Sequence, residues 1–128
     1  MSKALNDLHV AFRPLAFELL ARAVESRLQV VIIDTLRTAA EQAEYVRVGA
    51  SKRPDSLHLH GLAIDVGLAP LLKLKNWAPQ HEDWAKLGAI GEGLGLRWGG
   101  RWKSFPDCPH FECSAEMERA VLGKKGRA

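Results

Sequence analysis

Apolar positions along this chain follow two periods, and the switches between them predict its elements. From Pro14 onward, Leu15, Leu19, Leu20, Ala23 and Val24 recur at helical spacing. Proline sits in the first turn, where its missing N–H costs nothing. Gln29 to Thr35 is short and β-branched, which predicts a buried strand. Thr38 and Glu41 form a capping-box pattern that opens a second helix through Tyr45 and Val48, stopped by Gly49. Residues 50–57 are polar loop material. Leu62 to Val66 reads as a second strand, with Leu62, Ile64 and Val66 on one face and Ala63 and Asp65 on the other.

Gly67 to Gln80, with prolines at 70 and 79, predicts a long irregular connection of the kind that often carries function. Glu82 to Leu94 is helical in pattern and Gly95 ends it. Leu96 to Trp98 and His110 to Cys113 are short candidate strands on either side of a Gly-Gly turn. Ser114 caps a last helix through Leu122, closed by Gly123. Strands and helices mix without a βαβ repeat, so the expected class is α+β with a small, mainly antiparallel sheet and flanking helices.

Composition narrows the picture. With 128 residues there is room for one domain, and 47% hydrophobic with 26% charged residues argues against global disorder. The longest apolar runs, such as Val30 to Ile33, fall far short of the ~20 residues of a membrane span. Lys3 is followed by Asn6, Asp7 and His9, which does not read as a Sec-type signal. The formal charge of +3 rests on the last six residues, where Lys124, Lys125 and Arg127 stand without an acid. Residues 1–122 are therefore balanced and show no basic patch for nucleic acid. The expected organisation is one domain over 1–122 and a basic, solvated tail over 123–128. Cys108 and Cys113 are too few for a disulfide framework and wrongly spaced for a zinc knuckle, so they read as reduced packing residues.

Two segments carry candidate chemistry. In Ser56-Leu-His58-Leu-His60-Gly61-Leu-Ala-Ile-Asp65, His58 and Asp65 would face opposite ways along a straight strand. They converge if the chain turns between them, and Gly61 permits that turn. The plain alternative is a surface histidine and a strand-end aspartate. The second segment is Trp98-Gly-Gly-Arg101-Trp102 followed by Asp107-Cys-Pro-His110-Phe-Glu112. The first pair lacks a third ligand, which His110 can supply. Two histidines and a carboxylate leave a fourth zinc position open, as a catalytic site requires, and a spare carboxylate nearby can act as general base.

In this order and spacing the motifs Ser-x-His-x-x-Gly-x-Ala-x-Asp, Trp-Gly-Gly-x-Trp and Asp-x-x-His-Phe-Glu resemble the L-alanyl-D-glutamate peptidases. These are peptidoglycan endopeptidases, many of them phage endolysins, related to D-Ala-D-Ala carboxypeptidases within the LAS zinc metallopeptidases. The resemblance runs from Leu15 to Glu112 and includes Arg37-Thr38 with Glu41-Gln42. It implies a hedgehog/D,D-peptidase-like fold and a zinc ion held by His58, Asp65 and His110. It further implies that Asp107 is the base that activates water and later protonates the leaving amine. Arg37 would lie beside the metal, polarising the scissile carbonyl or pairing with a substrate carboxylate, and Ser56 would hydrogen-bond near the substrate. Trp98 and Trp102 are expected to line the cleft. Glu112 is expected to support the site without ligating, and His60 and Cys108 to stay out of the ligand set. Arg101 departs from the family, which often carries an acid there; on the cleft rim it would meet an acidic stem residue.

The activity implied is zinc-dependent hydrolysis of the L-Ala–D-Glu bond of peptidoglycan. A D-alanyl-D-alanine carboxypeptidase on the same scaffold and a non-catalytic zinc-binding module are the alternatives. The expected partner is bacterial peptidoglycan, with no nucleic acid and a monomeric state. The expected location is the cytoplasm of the producing, phage-infected cell until release to the wall.

Overall fold

The computed structural model describes residues 2–51 and 55–123. Lys52 and Arg53 of the polar loop and all but the first residue of the basic tail lie outside them. Helix α1 spans Arg13–Glu25, strand β1 Val30–Asp34, helix α2 Ala39–Arg47 and strand β2 Ala63–Leu68. Helix α3 spans Glu82–Gly93, followed by β3 (Arg97–Trp98), β4 (His110–Glu112) and α4 (Ala115–Leu122). Short 3-10 turns fill the connections, among them Leu57–His60 and Gly99–Arg101. No helix of the described residues is long and apolar enough to cross a membrane.

The sheet is antiparallel throughout, in the order β1-β2-β4-β3. It confirms the expected α+β class. Strand β2 runs two residues past its expected end because Gly67 and Leu68 pair with Val31 and Val30. The register slips between Ile32 and Asp34, and this irregularity sets Asp34 opposite Asp65. On the other side of β2, Asp65 pairs with His110. Three chemistry-bearing residues thus meet across adjacent strands.

Helix α1 buries Ala16, Leu19 and Ala23 against the core, one face of a 3.6-residue period, while Phe17 and Val24 remain exposed. The capping box of α2 is present in both directions, with Thr38 Oγ1 accepting from Glu41 N and Glu41 Oε1 accepting from Thr38 N. Helix α3 lies on the aromatic side of the sheet through its glycines. A Cβ on Gly88 would sit 2.4 Å from the Trp98 ring, and one on Gly91 2.6 Å from the Phe111 ring. Bare backbone there lets Trp98 and Phe111 stack at 6.4 Å between centroids beneath the helix. Each such fully buried aromatic contributes roughly 1.5–3 kcal/mol of burial free energy. This packing holds β4, and hence His110, rigid from below.

Candidate metal centre

His58 reaches the site from a turn rather than a strand. Ser56 caps the Leu57–His60 turn by accepting from the His58 amide at 3.2 Å, and Gly61 closes it at φ +68°. That reversal brings His58 Nε2 to 3.1 Å from Asp65 Oδ1. His110, from β4, sets Nδ1 at 3.0 Å from the same oxygen. One atom from each of His58, Asp65 and His110 lies within 4.8 Å of the others. Donors around one tetrahedral zinc at ~2.1 Å stand about 3.4 Å apart, so small shifts suffice.

The remaining ring nitrogens are tied. His58 Nδ1 lies 2.8 Å from the Thr35 carbonyl, which can only accept, so the proton sits on Nδ1 and Nε2 faces the site. His110 Nε2 lies 2.8 Å from Glu112 Oε1. A backbone carbonyl on one histidine and a carboxylate on the other are the partners that orient metal-ligating imidazoles. The donor chemistry and its support fit a zinc ion.

Electrostatics act strongly here. Burial alone would lower the His110 pKa, but hydrogen bonds to Asp65 and Glu112 outweigh it and push it up to about 10. Burial would raise Asp65, yet the charge and hydrogen bonds of the two histidines hold it well below the usual carboxylate range. Asp107 behaves oppositely: burial, then the nearby Asp65 charge, raise its carboxyl. Asp107 lies in the loop before β4, anchored by its amide to Gly99 O at 2.9 Å, and its carbonyl accepts from His110 N. It faces the same cavity as the two histidines and Asp65, a space of about 640 Å³.

Arg37 lines that cavity and is bonded through all three of its nitrogens. Its Nε and Nη2 reach Asp34 Oδ2 at 2.7 and 2.5 Å, Nη1 reaches Gln42 at 2.6 Å, and Nη2 reaches Asp65 Oδ2 at 3.3 Å. Its plane lies 4.3 Å from the Tyr45 ring centroid. A guanidinium so bonded orients Asp65, leaving Oδ1 to the histidines. Ser56 and Trp102 line the cavity, and the Trp102 ring lies 4.9 Å from that of His110.

Two expectations need correction. Trp98 does not line the cavity: it is buried under α3, its indole N–H donating to Cys108 O at 2.8 Å. The Gly-Gly turn that follows redirects the chain, so Trp102 alone of the pair faces the site. Arg101 is not on the rim, because two 3.0 Å bonds hold it to Glu92 and its guanidinium lies 5.4 Å from the Trp98 ring centroid. Tyr45, Asp34, Arg97 and Glu118 all take part in the site's network and were not singled out from the sequence, whereas Gln42 belongs to the Glu41-Gln42 match. Only Asp34 left a signal, an acid at the end of a buried β-branched strand. His60 is exposed, and Cys108 Sγ points at the Pro79 carbonyl, 3.7 Å away; both stay out of the site.

Two histidines and a carboxylate around one open point, with a raised carboxyl across the cavity, define the class as a metallohydrolase. Sequence comparison agrees. The peptidase family described as D-alanyl-D-alanine carboxypeptidase matches residues 49–113. The peptidoglycan L-alanyl-D-glutamate endopeptidase CwlK of Bacillus subtilis (strain 168) is 32% identical over 123 residues, covering 84% of this chain and 74% of its own length. The L-alanyl-D-glutamate peptidase of Listeria phage A118 is 35% identical over 109 residues, 84% of this chain but only 38% of the phage protein. Among solved structures, the Serratia marcescens L-Ala D-Glu endopeptidase ChiX shares the fold at TM-score 0.68, with 24% identity over 88% of this chain and 85% of that one. The vancomycin resistance D,D-pentapeptidase VanY, solved with Zn(II), shares it at TM-score 0.57 and 15% identity, over 90% and 77% of the two chains. The chain belongs to this D-alanyl-D-alanine carboxypeptidase family of peptidases, and its relatives include L-alanyl-D-glutamate endopeptidases.

Proposed function

We propose that this protein is a zinc-dependent endopeptidase that hydrolyses the L-Ala–D-Glu bond in the peptide stems of bacterial peptidoglycan. The observation that carries the reading is the donor set of His58, Asp65 and His110, with both imidazoles locked by Thr35 and Glu112. A zinc ion held there supplies Lewis-acid polarisation of the scissile carbonyl and acidifies water. Asp107 takes the proton from the attacking water on its carboxylate and returns it to the leaving amine of D-Glu. Its raised pKa suits a group that must both accept and donate. Arg37 keeps Asp65 in register, Ser56 holds the His58 turn, and Trp102 walls the cleft beside His110. Residues 1–122 form the catalytic unit in this reading.

A carboxypeptidase needs a cation free to seat a terminal carboxylate. Among the described residues, the arginines lining the cavity are Arg37 and Arg97, and each is held between two acids. That favours passage of the stem through the cleft over capture of its end. Digestion of intact sacculi decides the matter through the new amino terminus. Free D-Glu amino groups support the endopeptidase; release of D-Ala with the L-Ala–D-Glu bond intact moves the protein to the carboxypeptidase branch.

A further inference from the structure

We propose that Arg97 and Glu118 form a brace that holds Glu112 against His110 and so sets how tightly the site takes its cation. Both are positioning residues, and the inference rests on the zinc reading above. The chain of contacts is continuous. Glu118, buried on α4, places Oε1 2.5 Å from Arg97 Nη2. The same nitrogen lies 3.1 Å from Glu112 Oε2, while Arg97 Nε donates to the Cys113 carbonyl at 2.8 Å. Glu112 Oε1 accepts from His110 Nε2 at 2.8 Å, and the opposite ring nitrogen addresses Asp65.

Arg97 Nη2 bridges the two acids. The two oxygens of Glu112 are divided between arginine and histidine, so the carboxylate cannot rotate without breaking one bond. Arg97 and Glu112 are register partners on β3 and β4, which sets the distance between them by backbone pairing. Glu118 and the Cys113 carbonyl then fix the guanidinium from the far side. An imidazole whose outer nitrogen is held by a fixed carboxylate has one ring orientation and a more basic inner nitrogen. The opposite wall of the site repeats the pattern, with Arg37 between Asp34 and Asp65. There the arginine touches a proposed ligand directly; at His110 it acts one residue removed.

Zinc affinity of the full chain, measured by competition with a chromophoric chelator, tests the brace, alongside the visible spectrum of the cobalt(II)-substituted protein. Arg97→Gln should weaken zinc binding about 10–100-fold, the usual effect of losing a partner beyond the ligands. Arg97→Lys keeps the charge but cannot span both acids and a carbonyl, so it should recover only part of the loss. Glu118→Gln, isosteric and remote from the ligands, should give a smaller loss in the same direction and guards against failure of the arginine variants to fold. The cobalt spectrum should change in all three. A brace that serves only the fold would lower the unfolding midpoint in chelator while leaving affinity and spectrum at wild-type values, and that result overturns the proposal. Failure of the wild-type chain itself to bind zinc or cobalt would overturn the metal reading and the brace with it.

Discussion

Gly61→Ala tests whether the turn between His58 and Asp65 is what builds the site. Gly61 sits at φ +68°, ψ 25°, in the left-handed region. An alanine there costs roughly 1–2 kcal/mol from its Cβ against the carbonyl. Space adds a second term. The new Cβ would lie 2.6 Å from His9 N and 3.2 Å from two backbone atoms of Leu8. Those are main-chain atoms, and His9 N also donates to Gly61 O at 3.0 Å, so relief means moving the backbone that seats the buried Leu8. Overpacking of this kind typically costs about 1–3 kcal/mol. The expected destabilisation is therefore about 2–5 kcal/mol, a large fraction of the ~5–15 kcal/mol available to a domain. Urea unfolding in chelator reads that number, and chelator competition reads zinc affinity in the fraction that folds. Affinity should fall too, because the turn carries His58. Gly93→Ala is the control: its Cβ meets nothing within 4 Å, and in α3 it should be neutral or mildly stabilising. A Gly61→Ala protein within 1 kcal/mol of wild type with unchanged zinc affinity would refute the role given to the turn.

Asp107→Asn should keep fold and zinc but lose about 10²–10⁴ in turnover on peptidoglycan fragments, and a loss under tenfold would place the base elsewhere. Arg37→Gln should weaken zinc binding and cost about 3–5 kcal/mol by leaving Asp34 buried without its cation, as read by denaturation and chelator competition. Retained zinc and stability with lost turnover would instead return Arg37 to a substrate contact. Zinc affinity should climb about tenfold per pH unit above 6.5 toward about 10, because the ion must displace the His110 proton; a plateau above pH 7 would mean an ordinary imidazole. Metal-free stability runs the other way: the His110 contribution is complete below pH 6.5 and lost as pH rises through about 10.

The elements were legible because their signals are local. The capping box, the Pro14 start and the β-branched run each depend on a few neighbouring residues, and the structure places them within two residues of expectation. Asp65, on the polar face of its strand, and Gly61, at the bend, could likewise be read from spacing alone. What sequence reading missed is the part set by pairing. Arg97 meets Glu118 across 21 positions, and nothing near either residue announces the other. Trp98 was misplaced for a related reason. It belongs to the Trp-Gly-Gly-x-Trp motif, but the direction of its ring is decided by Gly88 on α3, ten residues earlier.

Charge explains why the network is built from opposed acids and arginines. Asp34, Asp65, Asp107 and Glu112 line one cavity with Arg37 and Arg97, so among the described lining residues acids outnumber arginines by two. Carboxylates brought this close in a buried space cannot all keep their charge without compensation. Side chains supply it with protons: His110 holds its own up to about 10, and burial raises Asp34 and Asp107 against the pull of their cationic neighbours. A divalent cation brings two positive charges to the same place and can displace protons to do so. Metal binding and proton release are then two sides of one balance, as the expected pH slope requires. The two braces make that exchange local. With Arg37 fixing one oxygen of Asp65 and Arg97 fixing one of Glu112, an incoming charge would be met by Asp65 Oδ1 and the inner nitrogens of His58 and His110. None of these bonds restrains the Asp107 carboxyl, which the proton-carrying role proposed for it requires.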